Sequence, residues 1–294
     1  MYVHILDNII YFILYIMKEY VCINKYLGLC NRLNVLLGDM RIAKEIYNTK
    51  FCLYWKKYKY DFDELFDVPD EDICVIKNYD HNTQYLSTHV SINGIVQFPR
   101  VLEHDLKNLD PKKSDILQRH GGFLYNEIPR DYINSYTEYI KKLTPAKDIK
   151  SIVDKFSKKF HDDTISVHIR RGDFRQNKKR CSNLDEKYFG LMDYFLAKNP
   201  NQTFFVSSDE SETENIYKQK YGNLIITYDH EYDESQYDEK TALICLLLLS
   251  KNKKILISPK STYSQMAWWL GLCNAKVYVV GRNVLNKTIY KASQ

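Results

Sequence analysis

The sequence predicts an α/β protein built from two doubly wound domains, and three observations point there. In the C-terminal half, short apolar strands alternate with longer helical stretches, the spacing of a parallel sheet. The N-terminal half opens on the same strand, turn, helix and strand. The length, 294 residues, is roughly two domains' worth of chain. Hydrophobic residues make up 45% and charged residues 27%, which excludes a disordered tail protein and a collagen-like one.

Taken in order, Tyr20–Asn24 reads as a strand, Gly28 as a turn and Arg32–Tyr47 as a long helix, followed by a second strand at Phe51–Trp55. Asp61–Phe66, Asp72–Lys77 and Val90–Phe98 are short elements whose type stays open. Helices are expected over Asp131–Leu143 and Ala146–Phe160, broken by Pro145. Beyond them Ile165–Arg170 alternates apolar and polar residues, as a half-buried strand does. A helix about Glu186–Lys198, a strand Thr203–Val206, a helix Thr213–Tyr221 and a strand Leu224–Thr227 follow. Ala242 to Leu249 is wholly apolar, the mark of a helix buried on all sides. The strand Ile255–Ser258, a helix Thr262–Leu270 and the strand Lys276–Val280 complete the sheet, with Gly271 at the position of a left-handed helix stop. The domains divide near residue 145, giving 1–145 and 146–294, two Rossmann-like halves facing a cleft with ligands at the carboxyl ends of parallel strands.

The first 17 residues stand apart. Ile9 to Met17 is unbroken apolar sequence, but its nine residues fall well short of the ~20 that span a bilayer as a helix. No small-residue cleavage site follows, so the stretch reads as an extra apolar helix, with contact to a membrane surface and a true start at Met17 as the less favoured alternatives. The seven cysteines are odd in number and form no CxxC pair, which points to a reducing, cytoplasmic setting. Without CxxC…CxxC or HExxH spacing, no metal is expected. A net charge of +5, spread along the chain, suits an anionic ligand and is too diffuse for a nucleic-acid groove.

Four places carry chemistry. His168-Ile169-Arg170-Arg171-Gly172-Asp173 ends a strand whose alternation sends Ser166, His168 and Arg170 to one face. Asp173 can hold only one of the two arginines, and a guanidinium left over can grip phosphate as a bidentate fork. Ser261-Thr262-Tyr263-Ser264-Gln265 begins a helix, and Thr262 with Gln265 has capping-box spacing. Its N–H groups and hydroxyls either cap the helix, bind phosphate, or do both. Phe204-Phe205-Val206-Ser207-Ser208-Asp209 is an apolar strand ending in hydroxyls and a carboxylate that contacts a nucleoside or caps the next helix. Gly28-Leu29-Cys30-Asn31-Arg32-Leu33 is a strand-to-helix turn that fits neither the GxGxxG nor the Walker A pattern.

In that order, HIRRGDF, FFVSSDE and KSTYSQMAWWLG resemble the three-motif signature of the GDP-fucose-dependent fucosyltransferase superfamily, which makes α-1,2 and α-1,6 linkages and protein O-fucose. GLCNRL resembles the Gly-x-x-Asn turn that opens the N-terminal domain in several branches. The resemblance implies a metal-independent, inverting enzyme of GT-B type: an acceptor-side N-terminal domain and a GDP-sugar-binding C-terminal domain. It implies that Arg170 grips the β-phosphate, with Asp173 beside it as the second catalytic residue, and that His168 and Asp173 fix the loop and contact the donor. Asp209 would lie near the guanosine, and Ser261, Thr262 and Ser264 would face the pyrophosphate. Arg171, Ser208 and Tyr263 would complete the donor site, and Asn31 and Arg32 would lie near the sugar. The substrates implied are GDP-fucose and a glycan, with an α-1,2-like linkage favoured. Two departures stand out. An acidic residue common five positions before the serine ending the buried helix is Cys245 here, leaving Asp238 or Glu239 to substitute. The Glu that the α-1,6 branch places five residues after its motif Asp is Lys178. The general base stays open between Asp39 and Asp173. A transferase using another nucleotide sugar, and a non-catalytic binding relative, are the alternative readings.

Overall fold

A computed structural model describes residues 20–24, 28–46, 48–77, 90–92, 95–97, 130–171, 184–229, 238–258 and 261–280. The expected apolar helix within 1–17 lies outside them, as do Gly172, Asp173 and Lys178. The chain forms two compact units, one of Met1–Gly121 with Asn134–Thr144 and the other of Gly122–Ile133 with Pro145–Gln294. No described helix is long and apolar enough to cross a membrane.

The first unit holds three parallel strands in the order β1 (Tyr20–Asn24), β2 (Phe51–Trp55), β3 (Cys74–Val75). Between β1 and β2 runs α1 (Leu29–Arg41), which ends in a π-helical turn, Ile42–Ile46, so the single long helix expected from the sequence changes pitch near its end. The three short elements of open type resolve differently. Asp61–Phe66 contains a one-turn helix, α2 (Phe62–Leu65), closed by a capping box between Asp61 and Glu64. Asp72–Lys77 contains β3, and Val90–Phe98 contains an antiparallel pair, β4 (Val90–Ile92) with β5 (Ile95–Gln97). Helix α3 (Arg130–Lys142) follows, and Lys142 pairs with Asp72 at 2.5 Å.

The second unit takes in the first turn of α3 and then α4 (Lys147–Phe156). It then alternates β6 (Ile165–Ile169), α5 (Leu184–Lys198), β7 (Phe204–Ser208), α6 (Ser211–Tyr221) and β8 (Ile225–Ile226). After these come α7 (Glu239–Leu249), β9 (Lys254–Ile257), α8 (Thr262–Leu270) and β10 (Lys276–Val279). All five strands are parallel and lie in the order β10-β9-β6-β7-β8. Strands are therefore added outward in opposite directions from the β6–β9 boundary, the switch point where doubly wound sheets open a crevice at their carboxyl ends.

Both sheet faces are covered, which explains why the strands are apolar almost throughout. Ile165, Val167 and Ile169 pack with Tyr188, Met192 and Phe195 of α5. On the other face Ser166 donates to the Leu249 carbonyl of α7 at 2.7 Å, so a polar residue is buried with its hydrogen bond made. Helix α7, expected to be buried all round, sequesters Leu243, Ile244, Leu246, Leu248 and Leu249.

Gly271 departs from the expectation of a left-handed stop. Positive φ falls instead on the next two residues, Leu272 (52°) and Cys273 (60°). The glycine is required by close approach, because a Cβ there would lie 2.7 Å from the Ser250 carbonyl oxygen at the end of α7. Gly271→Ala is expected to push α8 away from α7 and destabilise the unit by about 2 kcal/mol, the usual scale of overpacking, measured by urea unfolding.

Candidate functional site

The carboxyl edge of the second sheet gathers residues from three successive strands. Strand β6 delivers His168 as its last-but-one residue and then Arg170 and Arg171. Strand β7 delivers Ser207, Ser208 and Asp209, and β9 leads through Ser258 to the start of α8. The backbone N–H of Arg170 donates to Ser258 Oγ at 2.8 Å, tying the ends of β6 and β9 together at the switch point.

The two consecutive arginines part company. Arg170 keeps about a third of its side chain exposed while its Nη1 meets Asp209 Oδ2 at 2.8 Å. Arg171 turns inward: its Nε donates to Thr213 Oγ1 at 3.2 Å and its Nη2 pairs with Asp185 of α5. The sequence grouped Arg171 with the donor-contacting residues, but the structure commits it to joining β6 to helices α5 and α6. Tyr217 adds a hydrogen bond to the same Asp185 at 3.0 Å, and burial together with that carboxylate raises the Tyr217 pKa above its ordinary value.

Asp209 does not cap the next helix, one of the two roles expected of it. Its Oδ1 accepts the Arg171 backbone N–H at 2.7 Å while Oδ2 holds Arg170, so one carboxylate fastens both ends of the arginine pair. The next helix is capped at Glu210, without a side-chain hydrogen bond. Ser208 turns inward too, its hydroxyl donating to the Ile169 carbonyl at 2.9 Å and its N–H to Glu214 Oε1 at 3.1 Å.

The start of α8 is shifted by one residue from the expected capping box. Ser261, not Thr262, is the N-cap, and its side chain accepts from the Ser264 N–H at 3.4 Å. Thr262 and Tyr263 are the half-buried first residues of the helix. Ser264 Oγ lies 2.6 Å from His168 Nδ1, and the His168 ring lies against Tyr263 with centroids 4.7 Å apart. The Tyr263 hydroxyl donates to the Ala242 carbonyl of α7 at 2.6 Å, which locks the ring over the histidine.

Full burial, and secondarily the positive charge of Arg170, push His168 down to about 3. The imidazole is neutral at physiological pH and leaves the positive charge of this edge to Arg170 and the α8 terminus. An unfolded histidine titrates near 6.5, so below that pH the unfolded chain binds a proton that the folded one refuses. Stability from this residue is complete above pH 6.5 and declines as pH falls toward 3, by at most about 1.4 kcal/mol per pH unit. In His168→Gln, urea titrations between pH 7 and 4.5 are expected to show a correspondingly shallower acid limb than the parent.

Cys245 is buried in α7, and its thiol is pushed up to about 12 by burial and by the nearby Glu214 carboxylate, against a hydrogen bond from Ser207. It is a neutral thiol beside a buried acid. Of its suggested substitutes, Asp238 caps α7 by accepting from the Lys240 and Thr241 N–H groups at 2.9 and 3.1 Å, and Glu239 is fully buried. Ser258, Tyr188 and Glu214 were missed by sequence reasoning. Tyr188 donates to the His168 carbonyl at 2.5 Å and lies 2.9 Å from Ser258 Oγ, which buttresses the strand end from below.

Asn31 and Arg32 belong to the first unit, in the opening turn of α1. Arg32 is buried with its guanidinium carbon 3.3 Å from the Trp55 ring centroid, and its Nη2 donates to the Lys56 carbonyl at 2.9 Å. Asp39, one of the two carboxylates weighed as general base, is fully buried in α1. Among the described residues no three His, Cys, Asp or Glu side chains gather as metal ligands would.

The sequence matches no family model and no curated protein. The fold does have solved counterparts. It is similar to NodZ α-1,6-fucosyltransferase soaked with GDP-fucose, with a TM-score of 0.53 and 12% identity over 86% of this chain and 92% of that one. Fucosyltransferase NodZ from Bradyrhizobium gives 0.53 and 13% over 85% and 92%. POFUT1 in complex with GDP gives 0.56 and 12% over 90% and 98%. At these identities the likeness is one of fold, and it supports the α/β class with parallel sheets.

Proposed function

We propose that the chain is an inverting fucosyltransferase that moves L-fucose from GDP-β-L-fucose to a glycan hydroxyl. The observation that carries this reading is the position of Arg170. At the switch point of a doubly wound sheet it is a partly exposed guanidinium, aligned by Asp209, on the sheet edge that also bears the start of α8. The solved proteins of similar fold include fucosyltransferases and complexes with GDP or GDP-fucose, which supports the choice of donor.

In this reading the acceptor oxygen forms a bond to fucose C1 as the bond from C1 to the β-phosphate oxygen breaks, and GDP leaves. Positive charge gathers on the sugar and negative charge on the departing diphosphate. Arg170 faces that diphosphate, helped by the first N–H groups of α8 and the Ser261 and Thr262 hydroxyls, while the buried Ser264 hydroxyl is taken up by His168. These groups are held in place before the reaction, so their attraction grows as charge develops and lowers the barrier. His168, neutral and locked by Ser264 and Tyr263, fixes the strand end. No step requires a metal. The acceptor's proton needs a base, and with Asp39 buried we assign it to Asp173. Asn31 is assigned to the acceptor-side unit, and Arg32, buried over Trp55, holds the opening turn of α1 beside it. The linkage is read as α-1,2-type, on HIRRGDF and the serine-rich third motif. Cys30, Cys52, Cys74, Cys245 and Cys273 are free thiols, and we place the enzyme in the cytoplasm.

GDP is expected to stabilise the protein, by about 2.7 kcal/mol at a hundredfold excess over Kd, while UDP and CMP leave it unchanged. A thermal-shift series measures this, and equal shifts with all three would remove the guanosine assignment. Release of GDP from GDP-fucose separates an enzyme from a non-catalytic relative, and NMR of the product reads the linkage.

A further inference from the structure

The opposite, amino-terminal edge of the second sheet carries a feature that the transferase reading does not use. A cavity of about 290 Å3 opens there, lined by residues of α5, β9, β10 and the segments leading into β6 and β7. Three lysines converge on it: Lys198 from the last turn of α5, Lys254 from the start of β9 and Lys276 from the start of β10. Lys254 and Lys276 stand at matching positions on neighbouring parallel strands, a spacing of about 4.8 Å between backbones that sends both side chains to one face of the sheet.

Such a grouping costs energy unless something offsets it, because like charges side by side on adjacent strands repel. Among the described residues none of the three ammonium groups forms an ion pair. Each instead lies over an aromatic ring of the same cavity: Lys198 over Tyr194 at 4.3 Å, Lys254 over Phe195 at 5.7 Å and Lys276 over Tyr278 at 5.4 Å. These contacts hold the charges in place without neutralising them. The one carboxylate in the lining, Asp163, accepts a hydrogen bond from Asn199 at 2.6 Å. The wall therefore carries three positive charges against one negative.

We propose that this cavity is a second binding site, for a compact ligand bearing two or more phosphate groups on a ring-shaped body. The three ammonium groups meet the phosphates as point charges, and the Tyr194 and Tyr278 rings border the space that the body would occupy. A single phosphate engages too few of the lysines to compete with solvent, whereas two or more phosphates engage them together. The volume suits a sugar bisphosphate and lies at the lower limit of ordinary ligand pockets.

The test titrates the full chain with fructose 1,6-bisphosphate and, separately, with inorganic phosphate, by calorimetry at 100 mM NaCl. Three proteins are compared: the parent, Arg170→Ala, and Lys254→Ala/Lys276→Ala. Saturable binding of the bisphosphate is expected in the parent and in Arg170→Ala, with at least tenfold weaker binding in the double variant and weaker binding of inorganic phosphate throughout. If the double variant does not fold, Lys276→Glu, at an exposed position, replaces it with the same expectation. Binding that is lost in Arg170→Ala and kept in the lysine variant would assign the anion to the carboxyl edge and overturn the proposal. So would the absence of binding in the parent at millimolar bisphosphate. The outcome is independent of whether the protein transfers fucose.

Discussion

Arg170→Lys is expected to fold as the parent does and to lose two to three orders of magnitude in GDP release from GDP-fucose. Lysine preserves the charge and can still reach Asp209, and an ion pair this exposed contributes no more than about 1 kcal/mol, so stability should hardly move. What lysine cannot reproduce is the planar fork that engages two phosphate oxygens at once. Loss of one well-placed donor to a developing anion commonly costs about 3 kcal/mol of transition-state stabilisation. The loss should fall on kcat more than on KM, because the contact strengthens as the diphosphate departs. Activity within twofold of the parent would remove Arg170 from the role and take the central support from the transferase reading.

Arg171→Ala is expected to do the reverse and damage the fold itself. Its guanidinium is buried against Thr213 and Asp185, where it joins two helices to the end of β6. Truncation leaves Asp185 with Tyr217 and opens a space beneath the strand end. Breaking a buried pair by removing one partner costs 3–5 kcal/mol, and because Asp185 keeps a third of its surface in solvent we expect about 3 kcal/mol. For a unit of this size that is a fall in Tm of about 8 °C, readable by calorimetry or circular dichroism. Saturating GDP should raise the variant and the parent by the same increment and leave the gap between them, since the substitution acts on folding and not on the contact with ligand. A variant with unchanged Tm would show that the inward arginine is dispensable.

This division between neighbouring arginines marks how far the sequence could be read. The strand period placed His168 and Arg170 on one face, because alternation along Ile165–Ile169 is a local property. It could not tell which arginine would be consumed by the scaffold, since Asp185 and Thr213 are contributed by two helices distant in the chain. The same limit explains Asp209. Its position at a strand end was legible, but its attachment to both arginines depends on strand pairing. At α8 the serine cluster signalled a helix start, and the one-residue shift of the cap reflects a run in which several neighbours are equally able to cap. Ser258 and Tyr188 left no trace in the pattern: hydroxyls on apolar elements look like ordinary core positions until their partners are known. In the first unit the parallel strands followed from their composition, whereas α2 and β3 are too short for periodicity to declare.

Because two adjacent guanidiniums serve opposite masters, the length of the chain at the tip of β6 becomes a constraint in its own right. Adding or deleting one residue there would exchange inner and outer arginine, presenting the scaffold's cation to solvent and drawing the reactive one beneath the strand. A change of length at that tip should therefore cost folding and activity together, where substitution of either arginine alone costs chiefly one of them.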